Sequence, residues 1–347
     1  MAAATRRNVF LVTNHPSPHL AGLFAYLEER GELHLLLQWD TDPERDWPPY
    51  PVKARSIAYE SSRVSTLRFF ARALTTRGST IIFSNMQGKG LKVLLLLVFR
   101  YFGFVNRLNA ILMMEFNREY SFHPWQRRAM ALFLRGMGRR FMPLGLSLSN
   151  RGAFPLPMVP SVFHYTPDLQ SFLKIPIRDR FERSVAMVGS LIPRKQVLEV
   201  SEHFAQRLPT HELHLVGDGP LRVQLAEIAQ EHTNIHLVPP ISYEARHEIF
   251  LKFGVLLVFS VHDGFGCAVF EAMAAGCIVI ANQYTGSAYC IEHGRNGYLV
   301  SSLDAFSEAV DSIGQMSPDR RNAVGQAARA TIVRLYELRG FQSVVGF

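Results

Sequence analysis

The chain has 347 residues, 48% of them hydrophobic and 19% charged. That balance excludes a disordered chain and, at a length beyond what one compact core usually serves, favours two domains. Residues 1–150 hold 20 basic against 10 acidic residues, or +10, whereas residues 151–347 hold 17 against 19, or −2. The first half therefore suits an anionic partner, whether a membrane surface, a phosphate-bearing substrate or nucleic acid, or else its charge serves only solubility.

Taken in chain order, the N-terminal stretch MAAATRRNVFLVTNH has two arginines and a five-residue apolar run, too short for the core of a signal peptide. Strands are predicted at NVFLVTNH (8–15), LHLLLQW (33–39), STIIFSN (79–85) and NAILMMEF (109–116), with helices at GLFAYLEER (22–30) and LKVLLLLVFRYF (91–102) between them. The longest apolar run, 93–99 between Lys92 and Arg100, falls far short of a membrane span, so no bilayer crossing is expected. Residues 163–183 carry prolines and charges and no clear strand, which marks a join and divides the chain into domains 1–170 and 171–347.

Beyond the join, SVAMVGSL, HELHLVG, NIHLVP, VLLVFS and CIVIAN alternate with helical stretches such as LRVQLAEIAQ (221–230) and YEARHEIFLKF (243–253). Continuous apolar strands separated by helices imply a parallel sheet covered on both faces, so the fold class is α/β with two facing, Rossmann-like, doubly wound domains. After Pro318 the tail reads as a helix, with Ala323, Ala327 and Ala330 ahead of Val333 and Leu335, expected to pack back across both domains. Three cysteines, Cys267, Cys277 and Cys290, lack metal-ligand spacing and point to a reduced, cytosolic compartment.

The chemistry concentrates in 255–276, where the strand VLLVFS runs through the turn VHDGFG into the helix CAVFEAMAA, which Gly276 is placed to end. Gly264 and Gly266 let the backbone approach a ligand, and the first-turn amides of the helix, including those of Phe265, Gly266 and Cys267 around the turn, suit phosphate. Asp263 before the turn and Glu271 one turn into the helix are poor phosphate ligands and good hydroxyl ligands. A ligand carrying both phosphate and sugar hydroxyls fits that pattern. An acid inside so apolar a helix also needs a partner.

This segment resembles the E-x7-E region of GT-B glycosyltransferases, above all the retaining family 4 of the group 1 glycosyltransferases, whose common form is EGFGLxxxEAMAxGxPV. GSLIPRKQV (189–197) resembles the family's GRLxPxKG, HLVGDGPL (214–221) its LxIVGDGPL, NIHLVPPIS (234–242) its NVxFxGxV, and HGRNGYLV (293–300) its DGxNGxLV. The resemblance is dense over 184–301 and thin before 180. It implies a nucleotide-diphospho-sugar donor, a UDP- or GDP-sugar, as substrate, with no cofactor and no metal. By position it implies Glu271 on the ribose, Asp263 on the transferred sugar, and Gly189, Ser190, Gly264, Phe265, Gly266 and Cys267 along the diphosphate. Arg194 and Lys195 would stabilise the charge that bond cleavage loads onto the leaving phosphate. Two departures stand out: Asp263 replaces the family's glutamate, and Ser190 replaces an arginine whose charge Arg194 is positioned to supply. The GDGP turn at 217–220 needs no ligand to explain it.

The first domain would carry the acceptor. His15 and His19 follow the first strand, where open α/β sheets place ligand loops; each is a candidate general base or simply a surface histidine. Gly88, Lys89 and Gly90 offer a weak anion loop, and Glu115 ends a strand where the resemblance puts a histidine near the donor sugar. With a base at Glu115 or His15 the reaction inverts; without one, the leaving phosphate accepts the acceptor proton and the resemblance favours retention. Asp40 and Asp42 form a DxD pair in a proline-rich loop, rejected here as a metal site. As a helix, 123–141 places Arg128, Arg135 and Arg139 on one line, Met130, Phe133, Leu134, Met137 and Phe141 opposite, and Trp125 at its start, which reads equally as an interfacial membrane helix or a helix packed on the sheet. The expectation is a transferase acting at the cytoplasmic membrane face, peripherally attached, on a glycan or lipid-linked acceptor. Its rivals are a catalytically silent binding subunit and, least favoured for want of interleaved aromatics, a nucleic-acid binder.

Overall fold

The computed structural model describes residues 7–14, 16, 21–38, 51–84, 109–116, 141–146, 169–242, 244–261, 263 and 266–337. Two six-stranded sheets form. The first comprises β1 Arg7–Thr13, β2 Gly31–Leu37, β3 Ser56–Tyr59, β4 Thr80–Phe83, β5 Asn109–Phe116 and β6 Phe141–Leu146, in the order β3-β2-β1-β4-β5-β6. The second comprises β7 Ser184–Val188, β8 Glu212–Val216, β9 Ile235–Val238, β10 Val255–Val258, β11 Ile278–Asn282 and β12 Tyr298–Val300, in the order β12-β11-β10-β7-β8-β9. All pairings within both sheets are parallel. In each the chain starts at the centre, winds to one edge and returns to build the other side, which is the Rossmann order. The apolar runs read as strands are buried along their length, as a sheet covered on both faces requires: the last five residues of β1 and all of β4 and β11 are inaccessible.

The helices described are α1 Ala21–Arg30, α2 Arg63–Thr75, α3 Gln170–Leu173, α4 Val197–Arg207, α5 Arg222–Glu231, α6 Ile249–Lys252, α7 Cys267–Ala274, α8 Leu303–Gln315 and α9 Pro318–Glu337. Some expectations change. Phe141 opens β6 and so leaves the apolar face of the predicted helix 123–141, whose remainder lies outside the described residues, as does LKVLLLLVFRYF. YEARHEIFLKF is shorter than one helix: a 3₁₀ turn, Arg246–Glu248, runs into the single turn α6. In α9 the buried line is Val324, Ala328 and Ile332, spaced by four, while Ala323 and Ala330 are exposed. α9 packs on α7 and β11 of the second domain, and residues 338–347 lie outside the described residues.

The described part of the join, residues 169–183, packs with the second domain. Phe172 of α3 is buried with Phe250, Val269 and Phe270 in one core cluster, each fully buried aromatic contributing about 2–3 kcal/mol of transfer free energy. Asp179 accepts from Arg321 of α9 (Nε to Oδ1 2.9 Å, and Nη2 to Oδ2), a fork that holds its carboxyl below the usual range. Among the described residues no helix is long and apolar enough to cross a membrane.

Candidate active site

The strand order decides where a ligand can sit. After β7 the chain turns toward β8 and β9, whereas β10 lies on the other side of β7 and leads to β11 and β12. Loops leaving the carboxyl ends of β7 and β10 therefore diverge and leave a crevice between them. The loop after β7 holds Gly189, Ser190 and the 3₁₀ turn Pro193–Lys195; the loop after β10 holds Asp263 and leads into α7. The two are stitched across the crevice: Val261 N–H donates to Arg194 O at 2.8 Å, and the Arg194 guanidinium lies 3.8 Å from an Asp263 carboxylate oxygen. Both side chains are mostly withdrawn from water, at 23% and 14% exposure.

Asp263 is held by its backbone. Its N–H donates to Tyr284 O (3.3 Å), and its carbonyl accepts from Gly286 (2.7 Å) in a bridge to the loop after β11. That loop is fixed in turn by Asn282, which donates to Ser260 O at 2.6 Å and accepts from the Thr285 hydroxyl at 3.2 Å. The carboxylate is thereby presented from a frame of three strand ends.

α7 starts at Gly266, whose φ of 73° lies in the left-handed region. A Cβ there would stand 2.8 Å from Ser287 Oγ and 2.9 Å from Thr285 Cγ2, so both torsion and space demand glycine. Among the described residues no side-chain oxygen caps this helix, whose first-turn amides and positive dipole end lie where the loop after β10 enters it. At the other end Gly276 N–H donates to Met273 O and Cys277 N–H to Ala272 O, a Schellman stop with Gly276 at φ 75°. Across the crevice the Lys195 ammonium rests against Gly189, where a Cβ would lie 2.5 Å from Nζ.

Glu271 is buried, and Arg246 Nε donates to its Oε1 at 2.7 Å. Burial pushes the carboxyl above its usual range, and the Arg246 charge and hydrogen bond oppose that shift. Arg246 itself lies 5.1 Å over the Phe172 ring. The arrangement can hold anionic oxygen on the α7 amides and on Arg194 and Lys195, with carboxylates for hydroxyl groups at either end.

Residues 175–331 match the family model described as glycosyl transferases group 1. The second domain is a group 1 glycosyl transferase domain. The chain is 27% identical over 195 residues to the GDP-Man:Man(3)GlcNAc(2)-PP-Dol alpha-1,2-mannosyltransferase of Xenopus laevis, covering 49% of this chain and 40% of that protein. It is 29% identical over 159 residues to the N-acetyl-alpha-D-glucosaminyl L-malate synthase of Bacillus anthracis, covering 44% and 41%. The chain thus spans well under half the length of these relatives. The crystal structure of Anabaena HepE in complex with UDP matches with a TM-score of 0.67 over 94% of this chain and 95% of that one, at 15% identity, which shows the two-domain GT-B fold.

Within this glycosyl transferase domain Gly189, Ser190, Arg194, Lys195, Asp263, Gly266 and Cys267 gather at the one crevice, and Glu271 sits one turn along α7. The glycines at 217–219 act as structure: at Gly217 a Cβ would lie 2.0 Å from Gly189 O, and Leu191 N–H donates to Asp218 O at 2.8 Å, so this turn buttresses the loop after β7. In the first domain the backbone of Glu115 stands near the carboxyl end of β5, paired with Leu144 at a register irregularity, and β6 lies against the 3₁₀ turn Gly286–Cys290 of the second domain. His15, His19, Asp40, Asp42, Gly88, Lys89, Gly90, Trp125, Arg128, Arg135, Arg139, Gly264 and Phe265 lie outside the described residues. Sequence reasoning missed Arg246, although the need of Glu271 for a partner was the signal, and it missed Asn282 and Thr285, which follow the last apolar strand in NQYTG.

Proposed function

We propose that the chain is a glycosyltransferase that moves a sugar from a nucleotide-diphospho-sugar to a hydroxyl of a lipid-linked or polysaccharide-precursor acceptor at the cytoplasmic membrane face, with retention of configuration. The observation that carries this is the convergence, at the switch point of the second sheet, of the Gly266 turn, the Arg194–Asp263 pair and Glu271. The diphosphate lies on the α7 amides, Glu271 takes the ribose and Asp263 the sugar hydroxyls. The bond from the anomeric carbon to the β-phosphate oxygen breaks, its electron pair stays on the phosphate, and Arg194 and Lys195 stabilise that charge. The acceptor oxygen bonds to the same carbon and its proton passes to the leaving phosphate, so no protein base is required. Glu115, at the carboxyl end of β5, supports the alternative in which a carboxylate takes that proton and the product is inverted.

The donor is a UDP- or GDP-sugar: the mannosyltransferase relative is named for GDP-Man, and the HepE structure holds UDP. The dolichol-linked substrate in that relative's name supports a lipid-linked acceptor, and the +10 first half supports peripheral attachment to an anionic membrane face. A thermal-shift panel of UDP-, GDP-, ADP- and TDP-sugars is expected to show stabilisation by one nucleotide class. Glu271→Gln and Arg194→Ala are each expected to cut transfer at least tenfold, about 1.4 kcal/mol of transition-state stabilisation. Unchanged transfer in both variants overturns the site; stabilisation by a donor without transfer to any acceptor identifies a silent binding subunit.

A further inference from the structure

A second cluster lies away from the crevice. Glu212 and His214, two apart on β8, share one face of the second sheet, and His236 on β9 pairs in register with His214. Three side chains with lone pairs therefore converge toward the amino ends of β8 and β9, opposite the strand ends that build the crevice. His214 Nε2 is 3.3 Å and His236 Nε2 3.8 Å from the same oxygen, Glu212 Oε2, and the three ligand atoms lie within 4.8 Å of one another. The two rings stack at 4.7 Å, and the Phe253 ring lies tilted against His214 at 4.7 Å. His236 Nε2 is buried and has no hydrogen-bond partner among the described residues, although the ring itself reaches solvent. A buried ring nitrogen facing a carboxylate beyond hydrogen-bond distance calls for something between them.

We propose that Glu212, His214 and His236 bind a divalent late first-row transition ion, with Zn²⁺ as the reference case. Bonds of 2.0–2.2 Å from such an ion to imidazole nitrogen and carboxylate oxygen set the ligand atoms about 3.3–3.5 Å apart in a tetrahedron. The His214–Glu212 contact, a hydrogen bond in this structure, already has that spacing; the others reach it when Glu212 and His236, whose side chains are 54% and 38% exposed, move and the His236 ring turns out of its stack on His214. The same exposure leaves the fourth position to water. Lys252, 5.2 Å from the Phe253 ring, adds positive charge nearby, which disfavours ions held by charge alone and leaves those that prefer imidazole. β9 is the edge of its sheet, so the ion ties the edge strand to its neighbour and acts on stability and edge protection, apart from sugar transfer.

The test uses the untagged full chain, freed of metal with a chelator, titrated with ZnCl₂ by calorimetry and by thermal unfolding. Expected are one equivalent bound and a rise of the unfolding midpoint of about 3 °C or more, with MgCl₂ giving neither. Glu212→Gln and His236→Gln, both at part-exposed positions that preserve the fold by circular dichroism, each weaken Zn²⁺ binding at least tenfold and remove the shift. His247→Gln leaves both unchanged. Co²⁺ in place of Zn²⁺ gives the visible absorption of a tetrahedral nitrogen and oxygen site in the parent chain only. The proposal is overturned if the parent chain binds less than one equivalent at tenfold excess. It is equally overturned if the Glu212 and His236 variants bind as the parent does, which would place the ion on other histidines.

Discussion

The two domains repeat one strand order, and the family match falls on the second alone. Shared architecture therefore explains the crevice in each and cannot explain why one is recognisable. The difference lies in what each is proposed to hold. A diphosphate is bound by backbone amides, which forces particular residues where the chain must turn sharply or approach closely; an acceptor is met by loop side chains that vary with its chemistry. Gly266 and Gly78 make the contrast concrete. Their φ angles, 73° and 71°, are nearly equal, yet a Cβ at Gly266 meets Ser287 and Thr285 below 3.0 Å, while at Gly78 nothing lies within 4 Å.

The largest effect expected is on that pair. Gly266→Val disrupts the turn and the α7 amides at once, with a loss of transfer of about a thousandfold, about 4 kcal/mol, and of donor-induced thermal stabilisation. Gly78→Ala costs only the left-handed torsion, about 1 kcal/mol of stability by urea unfolding, and leaves transfer as it was. Equal loss of transfer in both would erase the distinction.

Acid sensitivity gives the next effect, largest at one histidine of the first domain. His34, wholly buried on β2 between Asn8 Oδ1 at 3.0 Å and Ser56 Oγ at 2.7 Å, has a pKa lowered from 6.5 to about 4, chiefly by burial. Its depressed value means that the unfolded chain binds the proton first as pH falls. Stability is full above pH 6.5 and declines toward pH 4, by up to about 3 kcal/mol. His34→Gln should flatten this slope in unfolding titrations; an unchanged slope would assign the acid sensitivity to other groups, such as His211 and His214, whose values burial also lowers.

In the second domain Arg246→Ala leaves Glu271 buried without its guanidinium, at a cost of about 2 kcal/mol, below the usual range for a fully buried pair because both side chains keep some exposure. Burial already raises the carboxyl's pKa and the substitution raises it further. The penalty is therefore least at acid pH, where the carboxyl is protonated folded and unfolded alike, and grows as pH rises through the elevated value. Urea unfolding at pH 4.5 and pH 8 checks the sign, and Glu271→Gln added to Arg246→Ala should recover most of the loss at pH 8. A penalty equal at both pH values would show that Arg246 acts through its packing on Phe172.

A smaller effect on transfer concerns specificity. Asp263→Glu lengthens the carboxylate by one methylene and should change the ratio of transfer rates between two donor sugars by about tenfold, about 1.4 kcal/mol. An unchanged ratio would separate Asp263 from the sugar.

Strands and the crevice were legible where physics leaves a one-dimensional trace. VLLVFS and CIVIAN are strands because both faces are covered, and the start of α7 shows because glycine is compulsory at Gly266. β6, FMPLGL, was hidden by its Pro and Gly at the end of a basic helical pattern, and β12 is only three residues inside a loop motif. α2 went unread although Ser62 caps it by accepting from Ser65 N–H, because only Phe69, Phe70 and Ala73 of its 13 residues are buried. The Arg246–Glu271 pair joins residues 25 apart: an acid in an apolar helix signals that a partner is needed, and nothing in the local pattern says which residue supplies it.

The far end of α7 has its own partners. Arg180 donates to Ala275 O at 3.1 Å and Arg329 to Ala274 O at 2.7 Å, with Arg329 also gripping Ile175 O and Gly325 of α9 close against Gly276. Eight residues make a rod of about 12 Å, with the crevice at its tip and the connecting segment bolted to its base. A ligand held on the α7 amides would thus load a helix whose other end carries the hydrogen bonds of the connecting segment.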